Sequence, residues 1–223
     1  MKIQFITPLK VGLGTLAVAT TMAFTPLVNS SAKAYSMQNT SDTFEYVTKK
    51  APDGVLLPPP AGSSSEEILA FAPDPSVKVM GKNKKATFVV DLTNNILYHY
   101  NKQGEPICAY RVASGRNNPE DRTDEGLRIV SHVETYPYRK APAHTKRHKQ
   151  PHLFGPKIII LDTLNPRNGK RGSTGEFIHG NCDESSLGKH ASGGCIRMDN
   201  TVIKELARVA KRGDIVVMMR RAQ

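Results

Sequence analysis

The feature that most restricts this chain is a series of short β-prone segments set too close together for anything but tight turns between them. Thr87-Phe88-Val89-Val90-Asp91-Leu92, Ile96-Leu97-Tyr98-His99-Tyr100 and Ile107 to Val112 are rich in β-branched, aliphatic and aromatic residues. Thr93-Asn94-Asn95 and Asn101-Lys102-Gln103-Gly104 separate them with turn chemistry. A parallel crossover needs roughly a dozen residues or more, so these segments are expected as antiparallel neighbours. Leu127 to Thr135, Pro156 to Leu161 and Ile215 to Met219 extend the same pattern. Near the C-terminus Val202, Ile203, Leu206, Val209 and Ala210 share one helical face, which Asn200 can open and Gly213 can stop after Arg212. The expected fold is mainly β, a meander or sandwich with one C-terminal helix.

Upstream of these strands the chain changes character twice. Lys2 and Lys10 precede an apolar stretch from Val11 to Phe24, and Ala32-Lys33-Ala34 follows. Charge, apolar core and small residues in that order describe a secretory signal over residues 1–34, cleaved after Ala34. The expected location is the periplasm or cell wall, with a membrane tether if the signal is retained. Residues 35–85, with Pro58-Pro59-Pro60 and Ser63-Ser64-Ser65, read as a Pro/Ser-rich extension or linker holding a helical turn from Ser65. Residues 86–223 are then the domain that carries the chemistry.

Removing Lys2, Lys10 and Lys33, and no acid, takes the formal net charge from +11 to +8. A basic protein outside the cytoplasm is drawn to anionic polymers of the envelope. Scattered cationic residues and export argue against nucleic acid. Three cysteines exclude a disulfide-dense scaffold, and no CxxC pair offers a zinc site. With no Trp and 6% aromatic residues, stacking on sugars or bases is not the first expectation.

The stretch with chemical content is Phe177-Ile178-His179-Gly180, a loop-like interval, and Ser192-Gly193-Gly194-Cys195-Ile196-Arg197-Met198. A thiol is nucleophilic as thiolate, and a nearby imidazole is the usual means of producing one. Gly193 and Gly194 would let the backbone approach a substrate, and amides near Cys195 could donate to an oxyanion. A His and a Cys at this spacing are also compatible with purely structural roles.

The surrounding residues resemble the active-site signature of the L,D-transpeptidases, the YkuD-type cysteine enzymes of bacterial cell walls. Phe88-Val89-Val90-Asp91 to Tyr98 is similar to the family's opening strand pair, and Ala113-Ser114-Gly115 to its S-x-G strand end. Thr123-Asp124-Glu125-Gly126 sits where a Thr-Pro-x-Gly turn is common. The resemblance, over Ala86 to Met219, implies Cys195 as nucleophile and His179 as general base. It also implies a loop shaped by Ser192 and Gly193, with an oxyanion hole from the Gly194 and Cys195 amides. Gly180 and Arg197 would meet substrate, Arg197 through a carboxylate or by holding the loop. The implied reaction attacks a tetrapeptide stem after its third residue, expels D-alanine and passes the acyl group to an amine. No cofactor or metal is implied. The implied partners are peptidoglycan stem peptides, a wall-linked protein as acceptor, and β-lactams (carbapenems) as inhibitors. The sequence departs from the family at Gly193, where His is frequent, and at Asp124, where Pro is usual.

His144, His148 and His152 fall four apart, but Pro142 and Pro151 interrupt the helix a metal face would need, leaving a basic loop beside the groove as the better reading. His190 reads as a substrate contact or a solvated loop residue. Cys108 and Cys182 could pair in an oxidising compartment, Cys182 could pair with Cys195, or Cys108 could be a free strand residue. Three functions compete: a transpeptidase, an L,D-carboxypeptidase or peptidoglycan hydrolase on the same scaffold, and a non-catalytic wall-binding protein.

Overall fold

The computed structural model describes residues 65–221. The signal expected at 1–34 and the extension up to residue 64 lie outside the described residues. The chain opens with α1 (Ser65–Ala70), β1 (Ser76–Val79), β2 (Lys82–Lys85), β3 (Phe88–Asp91), β4 (Ile96–Tyr100) and β5 (Pro106–Arg111). It continues through β6 (Ser114–Gly115), β7 (Gly126–Thr135), α2 (Lys146–Lys149), β8 (Lys157–Leu164) and β9 (Arg171–His179). β10 (His190–Ser192), β11 (Ile196–Arg197), α3 (Asn200–Val209) and β12 (Ile215–Met219) complete it.

Eight strands form the main sheet in the order β11-β9-β8-β7-β12-β3-β4-β5. The meander read from sequence is present twice, as β3-β4-β5 and as β7-β8-β9, each antiparallel. The last strand joins the two: β12 pairs antiparallel with β7 and parallel with β3. Its sequence Ile-Val-Val-Met-Met is apolar without alternation, which suits a strand covered on both faces.

Alternate residues of the sheet feed two apolar layers. Phe88, Val90, Val130, Ile159, Ile178, Ile196 and Val216 pack with Val202, Ile203 and Leu206 of α3. Val89, Tyr98, Tyr100, Ile129 and Ile215 pack on the other face with Ile68, Leu69 and Ala72 of the α1 region and Val79 of β1. Residues 65–85 are therefore more than a linker. Leu69 is fully buried, and burial of a leucine side chain stabilises by about 1.5–3 kcal/mol. The β1–β2 hairpin escaped the sequence reading because Lys82 to Lys85 are all exposed and give no alternation.

Helix α3 begins one residue earlier in its capping than the sequence suggested. Asp199 is the N-cap, its Oδ1 accepting from the Thr201 and Val202 amides at 2.6 and 3.0 Å. The helix ends at Val209 rather than Arg212, with Gly213 in the following turn at φ +96°. Helix α1 stands where a helical turn was expected from Ser65, and α2 is a short helix beyond those expected.

A buried ion pair ties the two ends of the described chain to β3. Asp91 is fully buried and accepts from the Thr93 and Asn94 amides, while Arg221 Nε lies 2.5 Å from its Oδ2. Arg221 Nη2 donates to the Phe71 carbonyl at 2.6 Å. Deleting one partner of such a pair leaves an uncompensated buried charge. Arg221→Ala is expected to lower unfolding stability by about 3–5 kcal/mol, read as a lower urea midpoint with an unchanged m-value.

Candidate active site

The site is built where a two-residue strand meets the end of a long one. β11 lies parallel to β9, with Ile196 opposite Ile178 and Arg197 opposite His179. Ile178 and Ile196 point into the core. Because side chains alternate along a strand, Phe177, His179, Cys195 and Arg197 point to the other face. The pairing thus puts thiol and imidazole on one face, Cys195 alongside Phe177 and His179 two residues further along. Arg197 also exchanges both backbone hydrogen bonds with Ala113, each 2.8 Å, so β11 is held from two sides.

The loop carrying Cys195 is fixed by hydroxyls. Ser192 Oγ accepts from the Gly194 amide at 3.1 Å and donates to the Cys195 carbonyl at 2.6 Å. Thr123 Oγ1 donates to the Gly194 carbonyl at 2.8 Å and accepts from the Gly115 amide at 2.9 Å. Gly194 adopts φ +107°, a conformation open to glycine and strained for other residues. Ser192 therefore shapes the loop. The Gly194 amide, assigned by resemblance to the oxyanion hole, is engaged by Ser192 in this structure.

A second clamp holds the histidine end. Asn200 Oδ1 accepts from the Asn181 amide at 2.9 Å, and Asn200 Nδ2 donates to the Asn181 carbonyl at 2.8 Å. Any Cβ on Gly180 would collide with Asn200 Oδ1 and with the Gly155 backbone. Gly180 is thus required by close packing, and no contact assigns it a part in binding. The sequence reading gave Asn200 the helix cap; its side chain instead staples the His179 segment to α3. The polar Asn at the start of a helix was visible, but its long-range partner was not.

The segment between β7 and β8 lies against this face. The Phe154 ring is 4.9 Å from the His179 ring and 6.1 Å from that of Phe177. The Arg147 guanidinium sits 5.1 Å from the Phe177 ring centroid, and its Nε is 3.3 Å from Glu134 Oε2. The basic stretch is broken as its prolines indicate, into α2 and a 3₁₀ turn over Pro151–Phe154. Among the described residues no cluster of three or more His, Cys, Asp and Glu side chains could hold a metal ion.

His179 is buried, 3% exposed, and burial lowers its pKa to about 4. The Gly180 and Phe154 carbonyls oppose that shift, while the Arg197 charge adds to it. His179 Nδ1 lies 2.5 Å from the Gly180 carbonyl. A carbonyl only accepts, so the neutral ring carries its proton on Nδ1 and keeps its lone pair on Nε2. Cys195 is half-buried, and its Sγ lies 3.9 Å from the Gly175 carbonyl. Burial pushes its thiol up to about 11, aided by Glu176; the Phe177 amide, Arg197 and Lys146 pull the other way. Glu176 is itself held by a bidentate pair with Arg128, at 2.5 and 3.2 Å. The resting pair is therefore neutral thiol and neutral imidazole, and no hydrogen bond joins them among the described residues. Arg197 makes no ion pair among the described residues and is the cation nearest in sequence to the thiol.

The family model of the L,D-transpeptidase catalytic domain, YkuD, matches residues 85–218. The chain belongs to that family. Among solved structures it is similar to Bd1075 of Bdellovibrio bacteriovorus, at 23% identity and a TM-score of 0.45, over 66% of this chain and 53% of that one. It is also similar to the catalytic domain of the E. faecium L,D-transpeptidase, at 20% identity and TM-score 0.40, over 61% of this chain and 98% of that one. An L,D-transpeptidase of Mycobacterium tuberculosis shows 16% identity and TM-score 0.42, over 60% and 57% of the two chains. The chain thus spans about half the length of the first of these. No curated protein matches it.

Within this L,D-transpeptidase domain the neighbourhood of Gly193 contains Asp121 rather than a second imidazole. The position where a Cβ would sit on Gly193 is 3.4 Å from Asp121 Oδ1. Asp124 forms an exposed pair with Arg122 at 2.9 Å, and its carbonyl accepts from Arg128 Nη2, so its role lies in the turn. His190 Nδ1 sits 2.9 Å from Ser114 Oγ, which bonds Asn95. Cys108, Cys182 and Cys195 are all free, so none of the pairings considered from sequence is formed. With the thiol at about 11, iodoacetamide alkylation of Cys195, followed by peptide mapping, is expected to rise about tenfold per pH unit between pH 7 and 9. A rate already at its plateau by pH 7 would instead show a preformed thiolate.

Proposed function

We propose that this chain is a peptidoglycan L,D-transpeptidase working through a cysteine acyl-enzyme. The observation that carries the reading is the placement of Cys195 and His179 on one face of adjacent strands, with the imidazole buried and neutral. A neutral imidazole can accept a proton at Nε2; a protonated one could not.

In the proposed reaction a tetrapeptide stem enters over Phe177 and displaces water from the thiol. His179 Nε2 takes the Cys195 proton as sulfur adds to the carbonyl after the third residue. The Cys195 amide faces the resulting oxyanion, since the Gly194 amide is held by Ser192. The C–N bond then breaks, and the imidazolium returns its proton to the departing D-alanine amine. An acceptor amine attacks the thioester and gives a proton to His179, and sulfur leaves as the imidazolium passes that proton to it. Arg197 favours the thiolate over the thiol and the neutral over the charged imidazole. Lacking a carboxylate partner, it can also take one from the substrate. Each step needs only thiolate, imidazole and amide dipoles.

The setting proposed is the cell envelope, where peptidoglycan stems are met. The acceptor is the amine of a neighbouring stem or of a wall-linked protein, and carbapenems would acylate the same sulfur. Incubation with purified muropeptides is expected to release D-alanine and give cross-linked dimers. Cys195→Ala should reduce turnover by about 10⁴-fold or more while leaving the fold unchanged. Shortened monomers without dimers would identify a hydrolase, and unaltered muropeptides with retained wall binding would identify a non-catalytic protein.

A further inference from the structure

Across the main sheet from Cys195 a second groove opens, of about 970 Å³. Its walls come from β2, the β4–β5 hairpin and the turn between α3 and β12. β8, β7 and β12 separate β9 from β3 and its neighbours in the sheet order, so this groove lies apart from the thiol.

Lys84, Lys85, Lys102 and Lys211 line it, against a single lining acid, Asp214. Lys85 is already satisfied: its Nζ bonds Ser76 Oγ at 2.6 Å and lies 3.4 Å from Asp74 Oδ1. Asp214 Oδ2 accepts from the Lys211 backbone amide at 2.8 Å, which fixes it in the turn. Lys84, Lys102 and Lys211 are exposed and form no ion pair among the described residues. The three ammonium groups come from three different segments, β2, the β4–β5 turn and the turn after α3, and share one groove. Between them lie His99, half-buried against the Phe88 ring at 5.0 Å, and the amides of Asn83 and Gln103. Val209, 47% exposed at the end of α3, gives the groove an apolar wall.

We propose that this groove binds a phosphodiester-linked polyol chain, an anionic envelope polymer, and so holds the domain on its substrate surface. Several phosphates on one chain suit several ammonium groups in one groove, and the Asn83 and Gln103 amides and His99 suit the hydroxyls. The methylene and ring carbons of such a chain suit Val209. Few aromatic faces are present for stacking, which disfavours a neutral glycan and single-stranded nucleic acid alike.

The test is binding of the full chain to poly(glycerol phosphate), titrated over a range of salt. The triple substitution Lys84→Gln, Lys102→Gln and Lys211→Gln is expected to weaken binding about tenfold or more near physiological salt, and to reduce the slope of log K against log salt by about 2. Lys170→Gln, Arg171→Gln and Lys204→Gln together make the same change in net charge outside the groove lining and should alter binding less than about threefold. Muropeptide turnover should be the same in both triple variants and the parent. Equal weakening by the two triples would overturn the proposal, as would absence of binding by the parent chain. Single-stranded DNA or anionic lipid vesicles bound as tightly, with the same lysine dependence, would also overturn it.

Discussion

The chemistry proposed for this domain rests on one short parallel pairing, that of β11 on β9. Two residues of β11 carry it, and a slip of one position would turn Cys195 towards the core and Ile196 towards solvent. The structure prevents that slip from several sides. Arg197 exchanges two backbone bonds with Ala113, the Met198 amide reaches the His179 carbonyl at 3.0 Å, and Ile196 is sunk in the core. Ser192 and Thr123 then fix the loop before the pairing, and Asn200 fixes the segment after His179. Cys195, in the bend that enters so short a strand, owes its position to these surrounding bonds.

The electrostatic consequence is a site at rest in its neutral form. Burial acts on both partners in the direction of neutrality, lowering the histidine and raising the thiol. Arg197 opposes burial at the thiol, where its charge favours the thiolate, and adds to it at His179, where its charge disfavours the imidazolium. An exposed thiolate is open to oxidation, and a neutral, half-buried thiol is less so. In the proposed reaction, proton transfer belongs to the substrate-bound state, in which water is excluded and the groups draw together.

Much of the fold was legible because local patterns and tertiary structure agree. The strands at Ile96–Tyr100 and Ile215–Met219 stand at the positions their residues indicated. The β3-β4-β5 meander followed from turn residues and short gaps, whereas β7 and β8 are separated by residues 136–156 and β9 was visible only at its His179 end. The central place of β12 was not legible, since an apolar run names a buried strand without naming its neighbours. Residues 65–85 were read as an extension because Pro73, Pro75 and the exposed lysines of β2 mask how Leu69 and Val79 close the second apolar layer. In the site, the His-Gly and Ser-x-Gly-Cys spacing pointed to His179 and Cys195, which adjoin through the β9–β11 pairing. Thr123, Phe154, Arg147 and Asn200 were beyond reach, because each acts through a partner distant in sequence.

The central claim is that one sulfur is acylated with the help of one imidazole, and mass spectrometry of a single turnover tests it most directly. The protein is mixed with a tetrapeptide stem without acceptor, quenched, and its adduct mapped to a peptide. The account predicts an adduct, lighter than the stem by D-alanine, on Cys195 alone, forming about 10²–10⁴-fold more slowly in His179→Gln. An adduct on Cys108 or Cys182, or one forming at the same rate without His179, would contradict it.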